Sequence, residues 1–382
     1  MSSDPVISLL RDLVAINSVN PSLVPGAPGE EEIAGAIAAR MRQIGMDVAV
    51  EEVSPGRPNV VGVLEGRAPG RSLMLCGHLD TVGVDGMAAP FDPLQKDGRL
   101  YGRGAQDMKG GVAAMIDAAR LVTRRGLPAG RLLIAAVVDE EYASIGADAL
   151  VARWRADGAV VTEPTDLEVA VAHKGFAWCE VETRGRAAHG SRPHEGRDAI
   201  VRMGRVLHAL EALDRDLQSR APHVLMGTAS VHASIITGGR ELSSYPDRCV
   251  LQYERRTIAG ETPAMVEQEM ADLIGTLHAR DADFEATARM TVSRPAYEIA
   301  RDHALPQALA RAATRACGAA VAFSAMTFWT DAAALGDAGI PSVLFGPGGA
   351  GLHGLEEYVI VEDVLRCRDA LALLAEEWCG SK

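Results

Sequence analysis

The chain has 382 residues, more than one ordinary domain of roughly 150 residues and suited to two. Hydrophobic residues make up 48% and charged residues 23%, which excludes a disordered chain and a small scaffold dependent on covalent staples. The net charge of −13, from 38 basic and 51 acidic residues, argues against a general affinity for nucleic acid or an anionic membrane.

Met1 to Pro5 shows no basic stretch followed by an apolar one, so no signal peptide is read there. The longest uninterrupted apolar run, Leu132 to Val138, falls far short of the roughly 20 residues a bilayer span needs. A cytoplasmic protein with no membrane partner is expected. Six scattered cysteines, Cys76, Cys179, Cys249, Cys317, Cys367 and Cys379, form no CxxC pair and read as reduced thiols.

Helical periodicity begins at Val6, Ile7, Leu10, Leu13 and Val14, with Asp4 as cap and Pro5 at the first helical position. Ile33, Ile37, Met41 and Ile44 mark a second helix that Gly45 ends. Short apolar runs at residues 71–76, 131–138, 159–162 and 342–345 suit strands buried on both faces. The helical stretch Val112, Met115, Ile116, Ala119, Val122 lies between two of them, which implies crossover units on a largely parallel sheet. After Lys174 the character changes: residues 177–182 and 250–253 read as antiparallel strands flanking an amphipathic helix at Ile200, Met203, Val206, Leu207, Leu210 and Leu213. The expected fold class is therefore α/β. A mostly parallel, helix-covered sheet domain is formed by residues 1–174 and 291–382, with an α+β domain of residues 175–290 inserted into it.

Acidic residues and histidines stand at the downstream ends of the apolar runs, where open α/β sheets form their ligand crevice. His78 and Asp80 project to one side of an extended segment, so one can hold a metal while the other steers it; alone, they are an ordinary loop pair. Asp107 lies in the glycine-rich turn Gly102-Arg103-Gly104 to Gly110-Gly111, either as a ligand or as the cap of the next helix. The glycine spacing fits neither a nucleotide P-loop nor a dinucleotide fingerprint. Glu140 and Glu141 follow a buried run and point to opposite sides, so one can hold metal while the other faces the bound water; a solvated acidic turn is the competing account. Glu163 precedes Pro164 at another strand end, as a ligand or as a surface carboxylate. His353 follows the last apolar run. Together His78, Asp107, Glu141, Glu163 and His353 offer two imidazoles and three carboxylates, a set suited to two zinc-like ions if one carboxylate bridges them. Donors of nitrogen and oxygen without thiolate suit a hydrolytic site, and Cys76, inside a strand, reads as a packing residue.

These motifs, Gly77-His78-Leu79-Asp80-Thr81-Val82, Asp107-Met108-Lys109-Gly110-Gly111, Asp139-Glu140-Glu141, Glu163-Pro164-Thr165, and His353 with Glu357 four residues on, carry a resemblance over essentially the whole chain. It resembles the two-zinc amidohydrolase and exopeptidase family that contains acetylornithine deacetylase, succinyl-diaminopimelate desuccinylase, aminoacylase and carboxypeptidase G. The resemblance implies that Asp107 bridges two Zn2+, replaceable by Co2+ or Mn2+, with His78 and Glu163 on one ion and Glu141 and His353 on the other. It makes Glu140 the general base toward a water held between the cations, with Asp80 fixing the His78 ring. In the inserted domain, a lid and dimerisation module, it makes His189 the oxyanion donor reaching into a partner subunit. Arg256 becomes the holder of the substrate carboxylate, with Arg255 as its neighbouring alternative. Two positions depart from the family pattern: Ser243 stands where an asparagine is usual, and Ala259 where a proline is usual.

The expected function is hydrolysis of the amide bond in an N-acyl amino acid carrying a free carboxylate, by a homodimer in the cytoplasm. The alternatives are a dipeptidase, carboxypeptidase or aminopeptidase acting on small peptides, and a noncatalytic metal-binding relative.

Overall fold

A computed structural model describes residues 4–380. The chain divides into two compact units, one of Ala172–Glu298 with Ala325–Trp329 and the other of the flanking segments.

The larger unit opens with helix Pro5–Ala15, where the Asp4 carboxylate accepts from the Val6 amide at 3.0 Å and proline takes the first position. Val6, Ile7, Leu10, Leu13 and Val14 are buried, as the periodicity predicts. Helix Glu31–Gln43 follows, and beyond it Gly45 adopts φ +90°, a conformation glycine takes without steric cost. The main sheet runs Asp47–Ser54, Arg57–Glu65, Arg131–Val137, Ser72–His78, Gly158–Val161, Ser342–Leu344, Val169–His173. Arg131–Val137, Ser72–His78, Gly158–Val161 and Ser342–Leu344 pair in parallel, and the strands outside them pair antiparallel. Leu73 to Cys76 and Leu132 to Val138 have no exposed surface, which is why they read as continuous apolar runs. The α/β architecture expected from the alternation is present. The outer pair escapes a search for such runs because Asp47–Ser54 sets acidic residues among its apolar ones and Gly62 interrupts the Val60 to Leu64 stretch of Arg57–Glu65.

Register sets the site. His78 pairs with Val137 and Cys76 with Val161, so the chain leaves three neighbouring strands at one edge, carrying His78, Asp139 to Glu141, and Glu163 together. Helix Gly110–Arg125 begins directly behind them with no side-chain cap. A Cβ on Gly111 would stand 1.9 Å from the Thr162 carbonyl oxygen, so only glycine admits this approach. Asp107 therefore does not cap the helix, the other role its position allowed. A small antiparallel sheet of Leu94–Lys96, Arg99–Tyr101, Tyr358–Ile360 and Gly349–Ala350 ties the C-terminal segment to the glycine-rich turn.

The second unit carries an antiparallel sheet in the order Ser230–Gly238, Arg248–Thr257, Gly175–Arg184, Glu285–Arg294. Helices Ala199–Ser219 and Pro263–Arg280 share its core through Met203, Val206, Leu210, Val266 and Met270, packed with Cys179, Val181, Leu251 and Tyr253. Asp198 and Thr262 cap the two helices through the Val201 and Met265 amides. All six cysteines are free thiols, and burial pushes the Cys76 thiol well above its usual range, in keeping with packing. Among the described residues no helix is long and apolar enough to cross a membrane.

Candidate active site

Asp107 presents its two carboxylate oxygens in different directions. Oδ1 lies 3.0 Å from His78 Nε2, and Oδ2 lies 3.4 Å from His353 Nε2. His78 Nε2 is also 3.9 Å from Glu140 and 4.0 Å from Glu163, and His353 Nε2 is 3.1 Å from Glu141. Two groups thus form around one shared aspartate: His78, Asp107, Glu163, and Asp107, Glu141, His353, each with ligand atoms within 4.8 Å of one another.

Each side chain is placed by its backbone. Glu357 holds the Asp107 turn, with Oε1 accepting from the Gln106 and Asp107 amides at 2.9 and 3.1 Å, and Oε2 from Gly104 at 2.9 Å and Arg103 at 2.8 Å. The Asp107–Met108 peptide is cis. The Asp80 carboxylate accepts from the Glu140 and Glu141 amides, each at 3.1 Å. His78 Nδ1 meets the main-chain oxygen of Asp80 at 2.9 Å, nearer than the Asp80 carboxylate at 3.6 Å. Asp80 thus orients the imidazole through its carbonyl and the acidic loop through its side chain.

Charge here is unbalanced. Burial pushes the Glu140 carboxyl well above its usual range, and Glu163 beside it adds to the effect; Glu163 is raised by burial and by neighbouring carboxylates. Burial and the Asp107 charge lift Glu141 to about 7. Burial works against charge on Asp107, but hydrogen bonds from His353 and His78 hold it below the usual carboxylate range. Burial likewise opposes protonation of His78, and the Asp107 hydrogen bond with the Glu140 and Glu163 charges overcomes it. His353 rises to about 10 through its bonds to Asp107 and Glu141. Four carboxylates crowd two imidazoles, and Glu141 Oε1 is buried without a hydrogen-bond partner. A pair of divalent cations would supply the missing positive charge and the missing partner, so the residues present fit such ions.

His189 lies exposed in the second unit, its Nδ1 2.8 Å from Ser191 Oγ. Its loop is held by the segment containing Ser243, whose carbonyl accepts from the Gly190 amide at 2.7 Å. Arg255 is buried at 2% exposure with its guanidinium on Glu261 and Glu269 at 2.7 and 3.1 Å. Arg256, on the opposite face of the strand, is half-buried, 2.7 Å from Glu254 and over the Phe176 ring. Of this neighbouring pair, Arg255 has its donors committed to structural carboxylates.

Sequence reasoning passed over Asn20, Glu30, Arg57 and Asn59, which surround the acidic loop. Single polar residues in the first sixty positions carry no ligand spacing; only the folded chain brings them to residues 80 and 139.

This fold and this pair of ligand groups define a class, that of metal-dependent amide and peptide hydrolases. The chain belongs to peptidase family M20/M25/M40, whose model matches residues 74–377. It is 34% identical to the acetylornithine deacetylase of Myxococcus xanthus, with 98% of this chain and 97% of that one covered. It is 28% identical to the N-formyl-4-amino-5-aminomethyl-2-methylpyrimidine deformylase of Bacillus subtilis (strain 168), covering 99% and 96%. In fold it is similar to a tripeptidase from Staphylococcus aureus, with a TM-score of 0.82 and 20% identity over 98% of each chain.

Proposed function

We propose that the chain removes the acyl group from an N-acyl amino acid, using two Zn2+ for which Co2+ or Mn2+ can substitute. The observation that carries this reading is the division of the Asp107 carboxylate between His78 and His353, with Glu140 beside it. His78 and Glu163 would hold one ion, Glu141 and His353 the other, and Asp107 both. Bound there, the ions would polarise the amide carbonyl and acidify the attacking water. Glu140 would take the proton of that water and deliver it to the leaving amine, a role suited to a buried carboxyl whose affinity for protons is raised. Asp80, through its bonds to the Glu140 and Glu141 amides, would keep the base and its neighbouring ligand in register.

In the second unit, His189 would donate to the oxyanion in the active site of a partner subunit, and Arg256 would hold the substrate carboxylate. The structural commitment of Arg255 supports assigning that task to Arg256. This reading makes the second unit a lid and dimerisation domain and the protein a homodimer of the cytoplasm. The deacetylase relative supports an acyl amino acid over a peptide. A noncatalytic role is disfavoured because Glu140 stands intact beside a full ligand set.

The test is an activity panel of acetyl, succinyl, benzoyl and aminoacyl amides, alongside unblocked dipeptides, with metal analysis on the same sample. Turnover of N-acylated substrates with about two metal ions per chain supports the reading. Turnover of unblocked peptides alone moves the protein to the peptidases, and full turnover by metal-free protein removes the reading altogether.

A further inference from the structure

Glu140 and Glu141 sit on a short loop that is costly to hold still. Asp139 at its start and Ser144 at its end adopt left-handed φ of +68° and +54°, a conformation side chains disfavour. The Ala143 amide turns back on the Asp139 carbonyl at 3.1 Å. Asn59 holds the neck, accepting from the Val138 amide at 3.1 Å and donating to the Gly146 carbonyl at 2.8 Å.

The face of the loop is held by charges that need a mediator. Asp80 receives the Glu140 and Glu141 amides, and Asp139 opens the loop. Both carboxylates are 1% exposed, and both receive the same nitrogen: Asn20 Nδ2 lies 2.7 Å from Asp80 Oδ2 and 3.0 Å from Asp139 Oδ1. An amide nitrogen carries two hydrogens, one for each acceptor. The orientation of the amide is fixed, because Asn20 Oδ1 accepts from the Ser22 amide at 2.8 Å; a flipped amide would set its oxygen against two carboxylates. Arg57 completes the arrangement, 2.8 Å from Asp139, bonded to Glu30 through Nε at 2.8 Å and to Ser22 Oγ at 3.1 Å. Asn20 and Glu30 have no exposed surface, and Arg57 only 7%.

We propose that Asn20, backed by Arg57, is a positioning residue that locks the loop carrying Glu140 and Glu141 by tying the Asp80 and Asp139 carboxylates to one neutral donor. The proposal rests on the reading of Glu140 as the base and Glu141 as a ligand. Asn20 touches neither; it acts through Asp80. Its neutrality matters, since it joins two anions without adding a charge beside the proposed cations, while Arg57 balances Asp139 and Glu30 from the far side.

The test is Asn20→Ala alone and combined with Glu140→Gln, assayed at saturating metal on the N-acyl substrate turned over fastest, with a Co2+ titration followed by visible absorption. Expected for Asn20→Ala are a kcat lowered about 30- to 100-fold, a KM within about threefold of the parent and a cobalt affinity about tenfold weaker, in line with the effect of residues that orient metal ligands. The double variant should be no slower than Glu140→Gln alone, because a misplaced base costs nothing once the base is gone. A folded Asn20→Ala with parental kcat and parental cobalt affinity overturns the proposal, as does a fully additive double variant. If Asn20→Ala does not fold, Arg57→Lys is put through the same cycle. It keeps the charge but cannot reach Glu30, Ser22 and Asp139 together, and the same two outcomes decide. Near-parental turnover by Glu140→Gln alone would instead remove the base assignment, leaving Asn20 to be judged on the cobalt titration.

Discussion

Asp107 faces two imidazoles at once, and what lets one short side chain do so is the carboxylate behind it. Glu357 gathers three amides and a guanidinium at 2.8 to 3.1 Å, so the turn bearing Asp107 hangs from a single buried anion. Glu357→Gln preserves shape but replaces two accepting oxygens with one. A metal affinity about 10- to 100-fold weaker is expected, read by competition with a chelator; unchanged affinity would show that the turn holds itself. Glu140→Gln should retain both ions while kcat falls by about three orders of magnitude, measured by steady-state assay beside elemental analysis. Near-parental kcat would end the assignment of Glu140 as base. The ligand candidates were legible because they follow apolar runs or, for Asp107, stand in a glycine-rich turn before a helix. Glu357 stood in a motif without a visible task, and Asn20 and Arg57 gave no signal at all, since the carboxylates they hold at the site, Asp80 and Asp139, lie 60 or more positions away.

Elements meet here with little slack. At Gly111 the helix Gly110–Arg125 touches the strand end at Thr162, and Gly111→Ala must push backbone against backbone. A loss of about 1–3 kcal/mol or more is expected in urea unfolding, together with weakened metal binding, because Glu163 is the next residue; an unshifted midpoint would contradict the close approach. The buried strands were readable from composition, whereas Asp47–Ser54, partly exposed with acidic residues among its apolar ones, and Arg57–Glu65, whose apolar stretch Gly62 interrupts, were not. At the end of strand Val169–His173, burial drops the His173 imidazole to about 4, and its Nδ1 meets the Lys174 carbonyl at 2.9 Å. Between pH 6.5 and 4 the unfolded chain takes a proton that the folded one refuses. Stability due to this group is therefore full above 6.5, falls as pH drops through that window and levels below it, a change on the order of 3 kcal/mol. Metal-free protein and its His173→Gln variant, compared by urea unfolding at pH 7 and pH 5, should differ in their change of stability by about 2 kcal/mol, the share of the window that those two pH values span; equal changes would refute a neutral buried imidazole.

For the molecule as a whole, the excess of buried negative charge sets the response to metal. Removing metal with a chelator should abolish hydrolysis and lower Tm, since ions that bind only the folded state stabilise it by mass action. Zn2+, Co2+ or Mn2+ should restore both. Hydrolysis that survives complete chelation would contradict the site. Sedimentation should give a dimer if His189 serves a partner subunit, and a fully active monomer would refute that part of the proposal.

The strand order has one further consequence. Ser342–Leu344 slots between Gly158–Val161 and Val169–His173, whereas the four strands of the second unit all lie between Gly175 and Arg294. During synthesis on the ribosome, the inserted sheet has every strand in hand while the larger one still lacks an interior member. A nascent chain stalled after Arg294 has cleared the ribosome and before Ser342 has done so should therefore protect the former from protease and leave the latter open, so hydrolytic competence arrives only once Ser342–Leu344 and His353 have emerged.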